Sequence, residues 1–229
     1  MKSEMFVVIL AGLVHATLQL GVGTMLLLYH ASLGKHVKKK TRELATNFIL
    51  GNGLLTGLAL TAACFVVFVT CGGEMNPAML TIVVGILLAL AISIWAFYYR
   101  LGKSTELWLP KSVVRYINRQ AKKTESSTEA FGLGMLACFV EAPFTLILIV
   151  VSANSILGLP QGLQILAVAI YTSLSVLPLA VLRIAVRKGQ TVADIQRWRI
   201  KNKNFIRIVS GVGFAVLAVF LLAFKILGN

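Results

Sequence analysis

A carboxylic acid and a proline lie two residues apart inside an apolar segment that is long enough to cross a bilayer. The segment is GLGMLACFVEAPFTLILIVVSANS, residues 132–155, and the two residues are Glu141 and Pro143. A carboxylate at membrane depth costs at least ~2.5 kcal/mol, so it is rare unless it faces a cavity or a partner. Proline has no N–H to donate to the backbone hydrogen bonds of a helix. The pair therefore predicts a helix that is interrupted at its most polar point, as in transporter sites. The alternative is a kinked helix whose protonated Glu141 only packs.

Other polar side chains lie in further apolar segments. His15 and Gln19 are four residues apart and therefore share a helix face, and a histidine can exchange protons near neutral pH. Asn52 lies between Gly51 and Gly53, whose small size favours close helix packing. Structural hydrogen bonding or packing is the alternative for each of these residues. We predict a substrate- or ion-binding site formed by Glu141, Pro143, His15, Gln19 and Asn52.

The composition identifies the class of protein that must position these residues. Of 229 residues, 58% are hydrophobic and 13% are charged, against about 25% charged in soluble domains, and the mean hydropathy is +0.86. The chain is therefore expected to be an all-α membrane protein, with one transmembrane domain over residues 1–229. Six segments approach or exceed the ~20 residues that a spanning helix needs. They are Met5–Tyr29, Leu44–Thr70, Pro77–Tyr98, Phe131–Ser152, Gly158–Val181 and Phe205–Ile226.

The basic residues predict the orientation in the membrane. The formal net charge is +14, and all of the 22 Lys and Arg residues except Lys2 and Lys225 lie in three segments. These segments are His30–Ala45, Tyr99–Ala130 and Leu182–Arg207, and they alternate with neutral loops. Basic loops face the cytoplasm. We therefore expect a multi-pass protein of the cytoplasmic (inner) membrane with both termini extracytoplasmic.

Two of the basic segments predict surface helices. Residues 110–123 and the segment that follows the capping box from Thr191 to Asp194 combine basic side chains with apolar ones. Basic amphipathic helices of this kind lie on anionic lipid head groups. We therefore expect lipid as their partner and not nucleic acid, despite the positive charge. A homodimer is compatible with this architecture.

Catalytic and metal-binding motifs are absent from the sequence. It contains no GxSxG, HExxH or Walker loop. The three cysteines Cys64, Cys71 and Cys138 form no CxxC and no Cys/His cluster. We therefore expect no enzyme, no cofactor and no metal site.

The two halves of the chain resemble each other. Residues 82–85 (IVVG) match residues 208–211 (IVSG), and aligning Gly12 with Gly134 places Gln19 opposite Glu141. An odd number of spans in each half forces the second half to insert in the opposite orientation. Inverted repeats of this kind, with a site between the halves, are typical of secondary transporters. We predict repeat one at about residues 5–98, a cytoplasmic linker at about 99–130 and repeat two at about 131–226.

The combination of these features resembles the lysine-exporter (LysE) superfamily. The resemblance covers the whole chain and depends on the 3+3 arrangement, the Gly132-x-Gly134 start of the fourth span with its proline, and residues 206–211 (IRIVSG). That superfamily includes the DsbD/CcdA thiol electron carriers and the GAP/Sap proteins of lipid export. The electron carriers have a reactive Cys beside a proline in the first and fourth spans. Here Cys138 lies near the matching place in the fourth span, but the first span has Thr17 and Gln19 instead. The stretch from Glu141 to Phe144 looks most like the GAP/Sap branch.

Three functions remain open. The resemblance implies a small secondary transporter that alternates access around a midplane site at Glu141, for an unidentified small molecule or ion. An accessory membrane protein for lipid or cell-envelope export is the first alternative. A thiol–disulfide electron carrier that uses Cys138 with Cys64 or Cys71 is the second.

Overall fold

The computed structural model describes residues 2–18, 24–25, 38–97, 111–188 and 190–227, and these ranges are helical apart from short connections. The elements are α1 (Lys2–Thr17), α2 (Lys38–Cys71), α3 (Pro77–Phe97), α4 (Lys111–Lys123), α5 (Ser127–Leu157), α6 (Gln161–Ser175), α7 (Leu177–Arg187), α8 (Val192–Lys201), α9 (Lys203–Leu221) and the π-helical turn Leu222–Ile226. Among the described residues, four helices are long and apolar enough to span a membrane, or five if a bent pair counts as one span. The four are α2, α3, α5 and α9 with the π-helical turn that follows it, and the bent pair is α6 and α7.

The six predicted spans are thus supported only in part. The first predicted span, Met5–Tyr29, is described mainly by α1, and Gln19 lies outside the described residues. The fifth, Gly158–Val181, is divided into α6 and α7, which meet at an angle of 48°. Pro178 lies in the first turn of α7, where its missing N–H costs least. The Ser175 hydroxyl donates to the Thr172 carbonyl (2.8 Å) at this bend.

The predicted interruption of the fourth span is wrong. Helix α5 continues through Pro143 from Ser127 to Leu157. A proline removes only one backbone hydrogen bond, and spanning helices tolerate this loss when neighbouring helices support them. The start of α5 is stabilised by a capping box, in which the Ser126 hydroxyl accepts from the Glu129 N–H and the Glu129 carboxylate accepts from the Ser126 N–H.

The connection between α2 and α3 follows from local chemistry. Gly72 (φ 70°) and Gly73 (φ 99°) adopt left-handed backbone conformations directly after α2 ends, and glycine adopts these at little cost. The Asn76 side chain then accepts from the Met79 N–H (2.8 Å), and Pro77 occupies the first position of α3. This is the usual arrangement at a helix N-terminus.

Glycine contacts bring the helices of the bundle close together. Helices α2 and α5 form the most extensive pair among the described helices, while α1 packs against α5 and α6, and α3 packs against α9. A Cβ at Gly51 would overlap the Phe131 carbonyl oxygen, and a Cβ at Gly134 would overlap the Phe48 carbonyl oxygen. The α2 and α5 backbones therefore touch directly, as expected when small residues mediate helix packing in membranes.

Helix α8 lies outside the spanning helices, and its stability is expected to depend on pH. Hydrogen bonds from the Thr191 hydroxyl and the Thr191 N–H lower the pKa of Asp194. Because the folded pKa is below the unfolded value of about 3.9, the carboxylate stabilises α8 fully above that value and loses this effect as the pH falls through the lower folded pKa. We expect Asp194→Asn to speed amide hydrogen exchange in α8 at pH 7, as measured by mass spectrometry. Equal exchange in the two proteins at pH 7 would contradict the prediction.

Candidate functional site

Three helices bring a histidine, a tyrosine and a glutamate together in the interior. His15 lies on α1, Glu141 on α5 and Tyr171 on α6, and each is at most 1% exposed. The Nδ1 atom of His15 is 2.9 Å from the Tyr171 hydroxyl, and the Nε2 atom is 3.9 Å from Oε2 of Glu141. When the tyrosine donates to Nδ1, the proton of the neutral imidazole lies on Nε2, on the side of the carboxylate.

A second group of polar side chains extends from this contact towards α2. Cys138 lies one turn before Glu141 on the same face of α5, and its Sγ is 3.3 Å from the Thr56 hydroxyl. The Thr56 hydroxyl also lies 2.9 Å from the Asn52 carbonyl, and the Asn52 amide donates to the Gly134 carbonyl (3.4 Å). We refer to His15, Tyr171, Glu141, Cys138, Thr56 and Asn52 as the central cluster.

The structure places the five predicted site residues in different positions. It brings Glu141, His15 and Asn52 into the buried central cluster. Pro143 is exposed on the outer face of α5, so its side chain does not line this cluster. Gln19 lies outside the described residues.

Three members of the central cluster were not predicted as site residues: Tyr171, Thr56 and Cys138. Tyr171 is fully buried, although a tyrosine in a spanning helix usually lies at the membrane interface. The position of Tyr171 near the middle of the fifth apolar segment was the feature of the sequence that could have predicted its burial. Thr56 follows Asn52 by four residues, and this spacing places both on one helix face.

The chemistry available to the central cluster is proton exchange. A carboxyl, an imidazole and a phenol lie within one or two contacts of one another and can share protons among them. In the described part of the chain, no three His, Cys, Asp or Glu side chains are placed to hold a metal ion.

Disulfide chemistry between Cys138 and Cys64 does not fit the structure. The Cys64 thiol points towards the Ala153 carbonyl of α5. Ala153 is fifteen residues beyond Cys138 on the same helix, which corresponds to about 22 Å. A disulfide needs α-carbons within about 7 Å. Cys71 contacts Met79 at the far end of α2 (3.6 Å between sulfur atoms).

A buried polar stripe leads from the central cluster along α5. Thr145, Ser152 and Ser155 follow Glu141 on the same face, and each is at most 2% exposed. The hydroxyls of Ser152 and Ser155 have no hydrogen-bond partner among the described residues. Leu148, fully buried, interrupts the stripe. These residues connect the central cluster with the end of the bundle at which α5 stops.

An ion pair lies at that end, which we call the Glu4 end. Lys225 of the π-helical turn pairs with the Glu4 carboxylate of α1, and both side chains are mostly buried, at 17% and 9% exposure. Lys225 also lies 3.9 Å from the exposed Glu74 in the α2–α3 connection. The pair therefore joins the beginning of the chain to its last helical turn.

The Tyr171 hydroxyl gives a direct prediction. We expect Tyr171→Phe to lower the free energy of unfolding by about 1–3 kcal/mol, because the buried Nδ1 of His15 loses its partner. Thermal unfolding of the purified protein in one detergent measures the change. Tyr116→Phe is the matched control, since Tyr116 is 53% exposed. Equal stability of the two variants would show that the His15 contact contributes nothing.

Comparisons with protein-family models, with curated proteins and with solved structures found no match to this chain.

Proposed function

We propose that the protein is a small secondary transporter of the lysine-exporter type in which Glu141 carries the coupling proton or binds the transported cation. The observation that carries the proposal is the contact of Glu141 with His15 at 3.9 Å, with both side chains buried at 1% exposure. Helices α1, α5 and α6 supply His15, Glu141 and Tyr171. A change in the packing of these three helices would therefore change the distances between these side chains. Intramembrane acids with such partners commonly belong to proton and ion pathways.

The physical basis is the cost of charge in a buried site. A charged pair that is removed from water is stable only when geometry and hydrogen bonds compensate for desolvation. Taking up or releasing one proton at Glu141 or His15 therefore changes which arrangement of the surrounding helices is most stable. A transporter needs this coupling between the occupancy of its binding site and the conformation of the protein.

The helix contacts support the inverted repeat that this mechanism requires. If the first three spans correspond to the last three, the contact of α1 with α6 corresponds to that of α5 with α2, and both contacts occur. Gly12 faces Leu174 and the Tyr171 carbonyl, while Gly134 faces the Phe48 carbonyl and the Asn52 N–H. Each glycine thus faces the helix that the repeat would pair with it, although Gly134 meets backbone atoms and Gly12 mainly meets a side chain.

The polar stripe on α5 would be the route between the central cluster and the Glu4 end. The hydroxyls of Ser152 and Ser155 provide hydrogen-bonding groups along it, and Leu148 together with the Glu4–Lys225 pair closes it. In this proposal, the arrangement represents a state in which the cluster is closed at that end. By the distribution of basic residues, the Glu4 end is extracytoplasmic.

Proton movement in vesicles tests the role of Glu141. Protein reconstituted into liposomes with a trapped pH-sensitive dye would be given lysine, Na⁺ or K⁺ on one side. We expect at least one of these probes to evoke proton movement in the wild type and not in Glu141→Gln. Glu125→Gln is the matched control, because Glu125 is exposed in the turn between α4 and α5. Equal proton movement in Glu141→Gln and the wild type would refute the role of Glu141.

The depth of burial favours a second candidate, an accessory membrane protein for lipid or cell-envelope export. At 1% exposure, Glu141 and His15 could serve only to hold three helices together. This function predicts that no probe moves protons in wild-type liposomes, and that Glu141→Gln changes thermal stability and nothing else. Purification of the intact protein with a stoichiometric partner would favour it further.

A further inference from the structure

Lys225 lies between two carboxylates at the Glu4 end. Its ammonium group pairs with the mostly buried Glu4 carboxylate of α1. It also lies 3.9 Å from the carboxylate of Glu74, whose side chain is 75% exposed. Lys225 itself belongs to the π-helical turn Leu222–Ile226, and π-helical turns are rare and occur frequently at functional sites. A single lysine side chain thus reaches a buried carboxylate and an exposed one.

The buried partner, Glu4, lies where the polar stripe of α5 ends. A Cβ at Gly158 would lie 3.5 Å from the Glu4 carboxyl carbon and 3.6 Å from the Ser155 carbonyl oxygen. Glu4 therefore lies against the residue that follows α5, about one turn beyond Ser155. The Ser155 hydroxyl and Oε2 of Glu4 are buried and have no hydrogen-bond partner among the described residues. The Glu4–Lys225 pair thus lies between the last hydroxyl of the stripe and the exposed side chain of Glu74.

Electrostatics favours a cation at Glu4. The C-terminal end of a helix carries a partial negative charge, and the Glu4 carboxylate lies at that end of α5. A buried carboxylate that loses its cation is strongly destabilised. Lys225 is therefore expected to remain at Glu4 most of the time. Compensation of the Glu4 charge by another cation would remove the cost of its departure.

The exposed partner, Glu74, is held in place by α5. The backbone N–H of the next residue, Met75, donates to the side-chain oxygen of Asn154 on α5 (2.8 Å). Met75 and Asn154 are both buried, so the backbone at Glu74 is fixed relative to α5. Lysine has a flexible four-carbon stem. The ammonium group of Lys225 can therefore move from Glu4 to Glu74 by side-chain rotation, without displacement of a helix.

We propose that Lys225 is the gate of the Glu4 end. Its ammonium group exchanges between Glu4 and Glu74, and the polar stripe is open to solvent while Lys225 is paired with Glu74. A cation that reaches Glu4 along the stripe takes the place of the lysine and favours the open state. The inference rests on the proposed function, which makes the stripe a transport route, and it names the side chain that opens and closes this route.

Thiol labelling of residue 155 measures the opening without any transported substrate. Ser155→Cys is introduced into the full chain, which is labelled in detergent with N-ethylmaleimide, and the modified positions are quantified by peptide mass spectrometry. This reagent is neutral, so removal of a charge from the protein does not change its attraction to the site. The native Cys138, on the other side of Leu148 from the Glu4 end, is the internal control for loosening of the whole bundle.

The two carboxylates are expected to have opposite effects on the labelling rate of residue 155. Glu74→Gln removes the exposed partner and should slow labelling about two- to fivefold, as for one exposed ion pair. Glu4→Gln should speed labelling by more than about tenfold, because no buried carboxylate is then left without its cation. Glu125→Gln, in the exposed turn between α4 and α5, should have no effect. Loss of a nearby negative charge by itself favours the reactive thiolate, so it cannot explain slower labelling in Glu74→Gln.

Several outcomes would overturn the proposal. Equal labelling of residue 155 in Glu74→Gln and Glu125→Gln would show that Glu74 is not an alternative partner of Lys225. Labelling in Glu4→Gln that is no faster than in the parent would show that the ion pair does not close the stripe. An equal increase at Cys138 would mean that the whole bundle loosens and that no gate exists at this end. The expected labelling without proton movement in liposomes would support the gate and refute the proposed role of Glu141, so the two failures are distinguishable.

Discussion

Replacement of Gly134 by alanine is expected to destabilise the protein by about 3 kcal/mol, the upper end of the cost of overpacking. A Cβ at this position would overlap the Phe48 carbonyl oxygen and approach the Asn52 N–H at 3.0 Å. Because backbone atoms cannot move aside as a flexible side chain can, α2 and α5 must separate. The change is measured as the thermal unfolding midpoint in one detergent.

The matched control for this substitution is Gly132→Ala, two residues earlier in the same helix. A Cβ at Gly132 meets nothing within 4 Å, and alanine is favoured over glycine inside a helix by roughly 0.5–1 kcal/mol. The control should therefore leave the midpoint unchanged or raise it. Equal midpoints for Gly134→Ala and Gly132→Ala would show that α2 and α5 do not touch at Gly134. Gly51→Ala, which faces the Phe131 carbonyl, should behave like Gly134→Ala.

Replacement of Lys225 by methionine is expected to lower the free energy of unfolding by about 3 kcal/mol, as when a buried ion pair loses one partner. The Glu4 carboxylate would then lack its cation, and its Oε2 atom already has no hydrogen-bond partner among the described residues. Methionine keeps most of the length of the side chain, so lost packing contributes little. Thermal unfolding measures the effect.

Two further variants separate charge from packing in this second experiment. Glu4→Gln combined with Lys225→Met removes both charges and should be more stable than Lys225→Met alone, since no buried charge remains unpaired. Arg197→Met breaks the exposed pair with Asp194, whose side chains are 77% and 49% exposed, and it should change stability much less than Lys225→Met does, because exposed pairs contribute little. If Lys225→Met behaved like Arg197→Met, the Glu4 pair would have no structural role.

Several features of the protein were predictable from its sequence because they depend on local composition. Long apolar segments with few charges identify spanning helices without any knowledge of their neighbours, and four of the predicted spans correspond to helices of that kind. Polar residues such as His15, Asn52 and Glu141 were recognisable as site candidates because burying them in lipid is costly. All three are in the central cluster.

Other features depended on which face of each helix meets its neighbours. Apolar side chains occur on both the buried and the exposed faces of helix α5, because lipid and the protein interior both accept them, so hydropathy alone does not show which face is buried. For this reason Pro143 was expected beside the site, although it lies on the exposed face, two residues and roughly 200° around the helix from Glu141. The interruption expected at Pro143 was wrong because packing along α5 compensates for one missing hydrogen bond.

Contacts between distant parts of the chain were decided only by the tertiary structure. The Tyr171 hydroxyl meets His15 across two helices, and Lys225 meets Glu4 between the two ends of the chain. Hydropathy and spacing describe one helix at a time, while these contacts depend on the rotation and depth of several helices together. The sequence by itself thus determined the class of protein and most of its spanning helices. The packing of the helices decided which polar groups meet.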